Sequence, residues 1–406
     1  MATDPSHIVV DADGHTMEPE DLWVARMDHS RWGDWIPRKV VEEEVYETTY
    51  VGGRIRAGGR EQRDALAAAV GKTPRELFEL LQQIRIPGGH DPAARLADMD
   101  RDGIDVAVLY PTLALFFGPL DPIPALRDVE FVADCQRAYN EWVAEYCSAA
   151  PTRLFAMAAV PLQDPARAVN ELERAVNHLG LKGALIRPSA YVESDGDFLP
   201  LNHTAYDRFW AACCDLDVPV ALHPGVHVDT PGACRLFDLV ANSENMMLVN
   251  SARDERHGGS ALGQAVGNTV DMIVTMGRLL MGGVCERFPS LRVLFLESGG
   301  GWVPTQLERM DEQVMAFPLE KRWLSLLPSE YFRRQCWASF EPEEWNLAAC
   351  AEWLGPERVL WASDYPHPEY HPGVVKEVEQ SIAALPDAAR RRILGANAVE
   401  AYRLPL

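Results

Sequence analysis

Short apolar runs rich in β-branched residues alternate along this chain with stretches that repeat at helical spacing. Eight such runs stand out, at residues 7–13, 106–112, 154–160, 183–188, 218–223, 291–297, 335–340 and 358–364. Their near-continuous apolar character predicts strands buried on both faces, as a parallel sheet requires. Between them lie helical patterns. Asp164 and Pro165 open a helix that Gly180 closes, and Ala168, Leu172, Ala175, Val176 and Leu179 form its apolar face. Comparable patterns occupy 127–149, 204–215, 262–286, 301–315, 343–354 and 373–385. Strand and helix repeated eight times predicts a (β/α)8 TIM barrel, with an open doubly wound sheet as the other arrangement this alternation allows.

Two connections far exceed the usual few residues. The segment after the first strand, 16–105, contains an alternating stretch at 40–56 whose Gly52-Gly53 predicts a hairpin turn. The segment after the fifth strand, 224–290, is expected to be helical. The chain is thus expected to be one barrel domain over 1–406 with two insertions, each serving as a lid, a subunit interface or a flap over apolar surface.

Composition narrows the partners. Among 406 residues, Lys and Arg number 38 and Asp and Glu 60, for a net charge of −22. That balance argues against a nucleic-acid backbone or an anionic membrane as partner, since both recruit cationic surfaces. It leaves room for a small anionic substrate held by one or two local arginines. The 47% hydrophobic content is ordinary for a globular chain. Eight cysteines without a CxxC pair predict a reduced, cytoplasmic protein. No secretory leader is expected from MATDPSHIVVDADGH, and the apolar stretch 272–284 is too short to span a bilayer.

In a barrel of this type, chemistry gathers at the C-terminal ends of the strands. The first strand ends in Asp11-Ala12-Asp13-Gly14-His15, where alternation sets Asp11, Asp13 and His15 on one face. The fourth ends in Arg187, the fifth in His223 and the sixth in Glu297. The eighth ends in Asp364, with His367 three residues on. An ionisable group closing an apolar run is costly unless paired or metal-bound. Histidines and carboxylates from separate strands at one mouth suit a divalent metal with an open position.

The motifs VVDADGH, ALHPG, GGVCERFPSLRVLFLESGGGWVP and WASDYPHPE, in this order over nearly the whole chain, resemble the amidohydrolase superfamily. The resemblance is to the branch that includes aminocarboxymuconate-semialdehyde decarboxylase and γ-resorcylate decarboxylase. It implies a metal site at Asp13, His15, His223 and Asp364. Asp13 replaces the first histidine of the HxH form, which makes the site harder and suits Zn2+ or Mn2+. Glu297 stands where the decarboxylases often carry a histidine. The fourth strand offers Arg187 and no bridging lysine, so one metal is expected rather than two.

Among the expected catalytic residues, Asp364 ligates the metal and moves a proton, Glu297 is a second acid or base or accepts a hydrogen bond from metal-bound water, and His367 supports a ligand or contacts the substrate. Arg187, His227 and Trp302 are the expected substrate contacts, although Trp302 equally fits core packing and His227 a surface loop. Asp11 and Glu18 each have two readings, near the metal or hydrogen-bonded within the fold. Arg54 and Arg56 either close over an anionic substrate or decorate an exposed strand, the commoner case. His257 reads as part of a solvated charged loop, and Trp337, Trp345, Trp353 and Trp361 as core. An alternative role for Glu297 is a salt bridge to Arg309.

Because Glu297 takes the place of that histidine, hydrolysis of a small carboxylated or aromatic substrate by metal-activated water is the leading expectation. Non-oxidative decarboxylation or another C–C cleavage is the alternative, and a non-catalytic ligand-binding barrel is a third. The long second segment and the resemblance together suggest a homodimer.

Overall fold

A computed structural model describes residues 7–121, 123–225, 263–368 and 370–406. The eight expected strands all form, in parallel and in chain order. The first three are Val10–Thr16, Val106–Pro111 and Leu154–Ala156, the last continuing after Met157 as Ala158–Ala159. Ala184–Ile186, Val220–Leu222, Val293–Phe295, Cys336–Phe340 and Val359–Trp361 follow. Each pairs with its neighbour in parallel register. Backbone bonds beyond the last strand close the ring: Asp364 N donates to Asp13 O at 3.2 Å and His15 N to Tyr365 O at 2.5 Å.

Every strand is buried on two faces, which is why the runs lack polar alternation. Val10, Val108, Phe155, Leu185, Leu294 and Leu360 fill the barrel interior. Leu109, Ala156, Ile186, Leu222, Phe295 and Trp361 face the surrounding helices. The C-terminal helix Asn397–Tyr402 plugs the floor. There the Tyr402 hydroxyl donates to Ala12 O at 2.7 Å and shares a 2.8 Å hydrogen bond with the Tyr110 hydroxyl.

The helices follow the expected capping chemistry. Pro165–Leu179 starts where the Asp164 carboxylate accepts from Ala166 N and Arg167 N, and it ends at Gly180 in the left-handed conformation. Helices Val129–Ser148, Asp207–Asp215, Thr269–Leu280, Val303–Ala316, Leu347–Leu354 and Val374–Ser381 occupy the other expected positions. Within 16–105 the alternating stretch forms an antiparallel sheet of Arg38–Glu42, Tyr46–Val51 and Arg54–Gly58. Gly52 and Gly53 turn its second hairpin with φ of 60° and 72°, angles that favour glycine. Helices Arg60–Ala69, Pro74–Ile84 and Pro92–Asp102 lead back to the barrel.

Two tryptophans depart from expectation. Trp337 and Trp361 are buried, but Trp345 is 90% exposed in the turn before its helix. Trp353 lies on that helix's outer side, with the Arg333 guanidinium 4.6 Å from its ring. The seven described cysteines are all free. Among the described residues, no helix is long and apolar enough to cross a membrane.

Candidate metal centre

The barrel mouth gathers five of the residues singled out by strand position, Asp13, His15, His223, Glu297 and Asp364, with His367 beside them. Ligand atoms of Asp13, His15 and His223 all lie within 4.8 Å of one another, as do those of His15, Asp364 and His367. His15 Nε2 is 3.7 Å from Asp13 Oδ1 and 3.4 Å from Asp364 Oδ1. His223 Nε2 is 3.5 Å from Asp13 Oδ2, 2.8 Å from Glu297 Oε2 and 3.0 Å from His15 Nε2.

Both imidazoles are oriented from behind. His15 Nδ1 lies 2.9 Å from Pro111 O and His223 Nδ1 lies 2.8 Å from Pro224 O. A carbonyl only accepts, so each neutral ring carries its proton on Nδ1 and presents Nε2 as a lone pair. Two lone pairs facing each other, beside a buried Asp13 Oδ1 that makes no hydrogen bond among the described residues, call for a cation between them. Two imidazole nitrogens with two or three carboxylates form a donor set that suits a divalent ion of the Mn2+ or Zn2+ kind. The residues fit the metal that the sequence implies.

The electrostatics agree. Burial pushes the Asp13 carboxyl well above its ordinary pKa, and the neighbouring Glu297 and Asp364 add to the rise against the pull of His223. Burial also raises Asp364. His15 is pulled well below the usual histidine range by burial, then by His367 and His223. Burial works against charging His223 too, but Glu297 and Asp13 outweigh it and raise the ring to about 9.

Asp364 and His367 form a second unit. His367 Nδ1 is 2.8 Å from Asp364 Oδ1, and Nε2 is 2.9 Å from Thr112 Oγ1. The Thr112 hydroxyl already donates to Thr16 O at 2.8 Å, so it accepts from His367. Both ring nitrogens then carry protons. Burial opposes that charge, but Asp364 prevails and lifts His367 to about 9. Glu297 and Asp364 both have positive φ, 44° and 51°. Such backbone strain in residues with side chains concentrates at functional sites.

Asp11 and Glu18 take their structural readings. The Asp11 carboxylate accepts from Ser363 N at 3.0 Å and Ser363 Oγ at 2.6 Å, and stands 3.7 Å from the Arg95 guanidinium. The two oxygens of Glu18 accept from Leu113 N and Ala114 N at 2.9 Å each. Arg309 pairs with Glu312, leaving Glu297 to His223. Trp302 packs against the core and donates its indole N–H to Gly299 O at 2.8 Å. Arg187 is buried, with its guanidinium 5.0 Å from the Phe116 ring and a 2.7 Å bond to Gly225 O. His227 and His257 lie outside the described residues.

One residue beside the site, Glu341, escapes the sequence reading, and another, Arg56, departs from its commoner reading. Glu341 follows the seventh strand directly and joins Glu297 and Asp364 in lining a cavity of about 340 Å3. Burial, then the charges of Asp364 and Glu297, pushes its carboxyl well above the usual range. The strand-end rule that selected Glu297 selects this position as well. Arg56, expected on an exposed strand in the commoner case, is 3% exposed and faces Asp121 at 3.2 Å.

The amidohydrolase family model matches residues 12–404, and the chain belongs to that family. It is 29% identical over 253 residues to γ-resorcylate decarboxylase of Rhodococcus jostii, covering 60% of this chain and 70% of the relative. An amidohydrolase of Mycobacterium avium subsp. paratuberculosis superposes with a TM-score of 0.74 at 22% identity, covering 98% of this chain and 99% of the other. A 5-carboxyvanillate decarboxylase of Novosphingobium aromaticivorans, with bound manganese and 3-methoxy-4-hydroxy-5-nitrobenzoic acid, superposes at 0.64 with 18% identity, covering 100% and 99%. The chain is an enzyme of the amidohydrolase superfamily, and the named relatives to which it is similar include decarboxylases of aromatic acids.

Proposed function

We propose that this chain is a divalent-metal-dependent, non-oxidative decarboxylase of a small hydroxylated aromatic acid. The observation that carries the reading is the convergence of Asp13, His15, His223 and Asp364 at one barrel mouth. The similarity to γ-resorcylate and 5-carboxyvanillate decarboxylases supports C–C cleavage over the hydrolysis that Glu297 first suggests. Glu297 then serves as a further carboxylate beside His223, rather than as the mark of a hydrolase.

In this reading Asp13, His15, His223 and Asp364 would hold one manganese or zinc ion. Its charge would favour the bound carboxylate and adjacent phenolate. Arg187, one strand away, adds positive charge for an anionic substrate. His367 keeps a proton on Nδ1 against Asp364 Oδ1, and Asp364 delivers it to the ring carbon as the C–C bond breaks and carbon dioxide leaves. Glu341, whose charged form burial disfavours, lines the wall beside Glu297 and Asp364. The chain acts as a single barrel domain, with 16–105 covering the mouth, and as a homodimer; residues 226–262 of the second segment lie outside the described residues.

The test is carbon dioxide release from a panel of hydroxybenzoates by chelated protein and by protein restored with manganese. Release that returns with the metal supports the proposal. Ester or amide hydrolysis without carbon dioxide release would restore the hydrolase reading.

A further inference from the structure

A second cavity, of about 330 Å3, lies between the three-stranded sheet of 38–58 and the barrel mouth. Trp23, Leu113 and Phe116 give it apolar walls, and Arg56 and Arg63 bring positive charge to it. Thr112 lines it too, and the same hydroxyl touches His367 of the metal centre. The cavity and the site therefore share a wall.

Arg56 is the informative residue. Its Nη2 is 3.2 Å from Asp121 Oδ2, yet neither Nη1 nor Nη2 makes a hydrogen bond among the described residues. Its guanidinium stands 4.7 Å from the Phe116 ring, which Arg187 also approaches. Arg63 likewise leaves a buried Nε without a hydrogen bond there. Donors left unsatisfied at a buried cationic group are costly. Of the acidic groups on the walls, Glu18 is held by the amides of Leu113 and Ala114, while Glu20 and Glu47 pair with Lys39 and Arg85, Glu47 also lying near enough to Arg63 to favour its charge. The cavity is of ligand size, apolar with a few convergent charged donors.

We infer that this cavity receives a second anionic group of the substrate, a carboxylate-terminated substituent on the ring remote from the carboxyl at the metal centre, with Arg56 and Arg63 as its partners. Planar guanidinium donors match a carboxylate in geometry. The inference rests on reading the barrel mouth as an aromatic-acid site.

Calorimetric titration of the manganese-loaded protein tests it independently of turnover. Salicylate is compared with 4-hydroxyisophthalate and 5-(2-carboxyethyl)salicylate, which set a second carboxylate at two distances. At least one dicarboxylate is expected to bind tenfold or more tightly than salicylate. Arg56→Gln should erase that advantage while leaving salicylate affinity within twofold. Arg63→Gln, at a half-buried position, should reduce it and serves if Arg56→Gln does not fold. No advantage on the wild-type chain, an advantage kept in both variants, or no binding of any probe would overturn the inference. A chain that releases no carbon dioxide but still prefers the dicarboxylate retains this subsite and loses only the decarboxylase reading.

Discussion

His15 and His223 face each other through Nε2 at 3.0 Å, each pinned from behind by a backbone carbonyl. The pair favours a bound cation, because two imidazoles so fixed repel unless a proton or a metal lies between them. Replacing one should relieve the repulsion and remove the metal. His223→Ala is expected to lose bound manganese, from near one per chain to near zero by elemental analysis. Metal should also no longer raise its melting temperature, whereas ligand at about 100 times its Kd stabilises an intact site by about 2.7 kcal/mol.

The pair also sets a pH dependence. His223 is raised to about 9 in the absence of metal, burial being outweighed by Glu297 and Asp13. A histidine raised in the folded state stabilises fully below its unfolded pKa, near 6.5. That stabilisation disappears as pH climbs through the folded value. Chelated protein should therefore lose melting temperature between about pH 6.5 and 9. Manganese should flatten the decline by replacing the proton. Melting curves across that range with and without chelator check this, and parallel curves would contradict it.

Asp364→Asn is expected to lower kcat by about 10^2 to 10^4, the usual worth of a positioned proton donor. His367→Gln should have a smaller effect and shift the alkaline limb of the rate profile downwards, because His367 holds its proton with a pKa near 9 against Asp364. Steady-state rates of carbon dioxide release over pH, with metal content measured on each variant, distinguish a lost proton from a lost ion.

Asp11 ties the first strand to the eighth through Ser363 and neutralises buried Arg95. Asp11→Ala leaves that guanidinium buried with, among the described residues, the His15 carbonyl as its hydrogen-bond acceptor, at 3.0 Å. A loss of about 3–5 kcal/mol is expected, as for one partner removed from a buried ion pair. Urea unfolding measures it. Glu341→Gln, by contrast, puts an amide of similar shape in place of a carboxyl whose charged form burial disfavours, so its unfolding midpoint should stay close to wild type.

The strands were legible because both faces of each are buried, so apolar runs marked them without ambiguity. The donors were legible because a polar residue closing such a run has nowhere to go but the mouth. Asp13, His15, His223, Glu297 and Asp364 all follow that logic. Glu341 follows it as well, though its neighbours Pro342, Glu343 and Glu344 disguise it as part of a solvated turn. Arg56 was not legible in the same way. Its burial depends on the sheet folding over Phe116 and on Asp121, which no local spacing connects to it. Trp345 misled for the opposite reason: its helix is apolar, but it sits one step outside, where the turn exposes it.

Decarboxylation at this mouth requires that an aromatic ring carbon take up a proton in a metal-dependent step. Mass spectrometry of the product from 2,6-dihydroxybenzoate turned over in deuterium oxide by the manganese-loaded protein tests it most directly. The expected product is resorcinol carrying one carbon-bound deuterium, with equimolar carbon dioxide, and none is expected after chelation. Resorcinol formed equally well by chelated protein, or an intact ring acid under conditions where esters or amides of aromatic acids are hydrolysed, would contradict it.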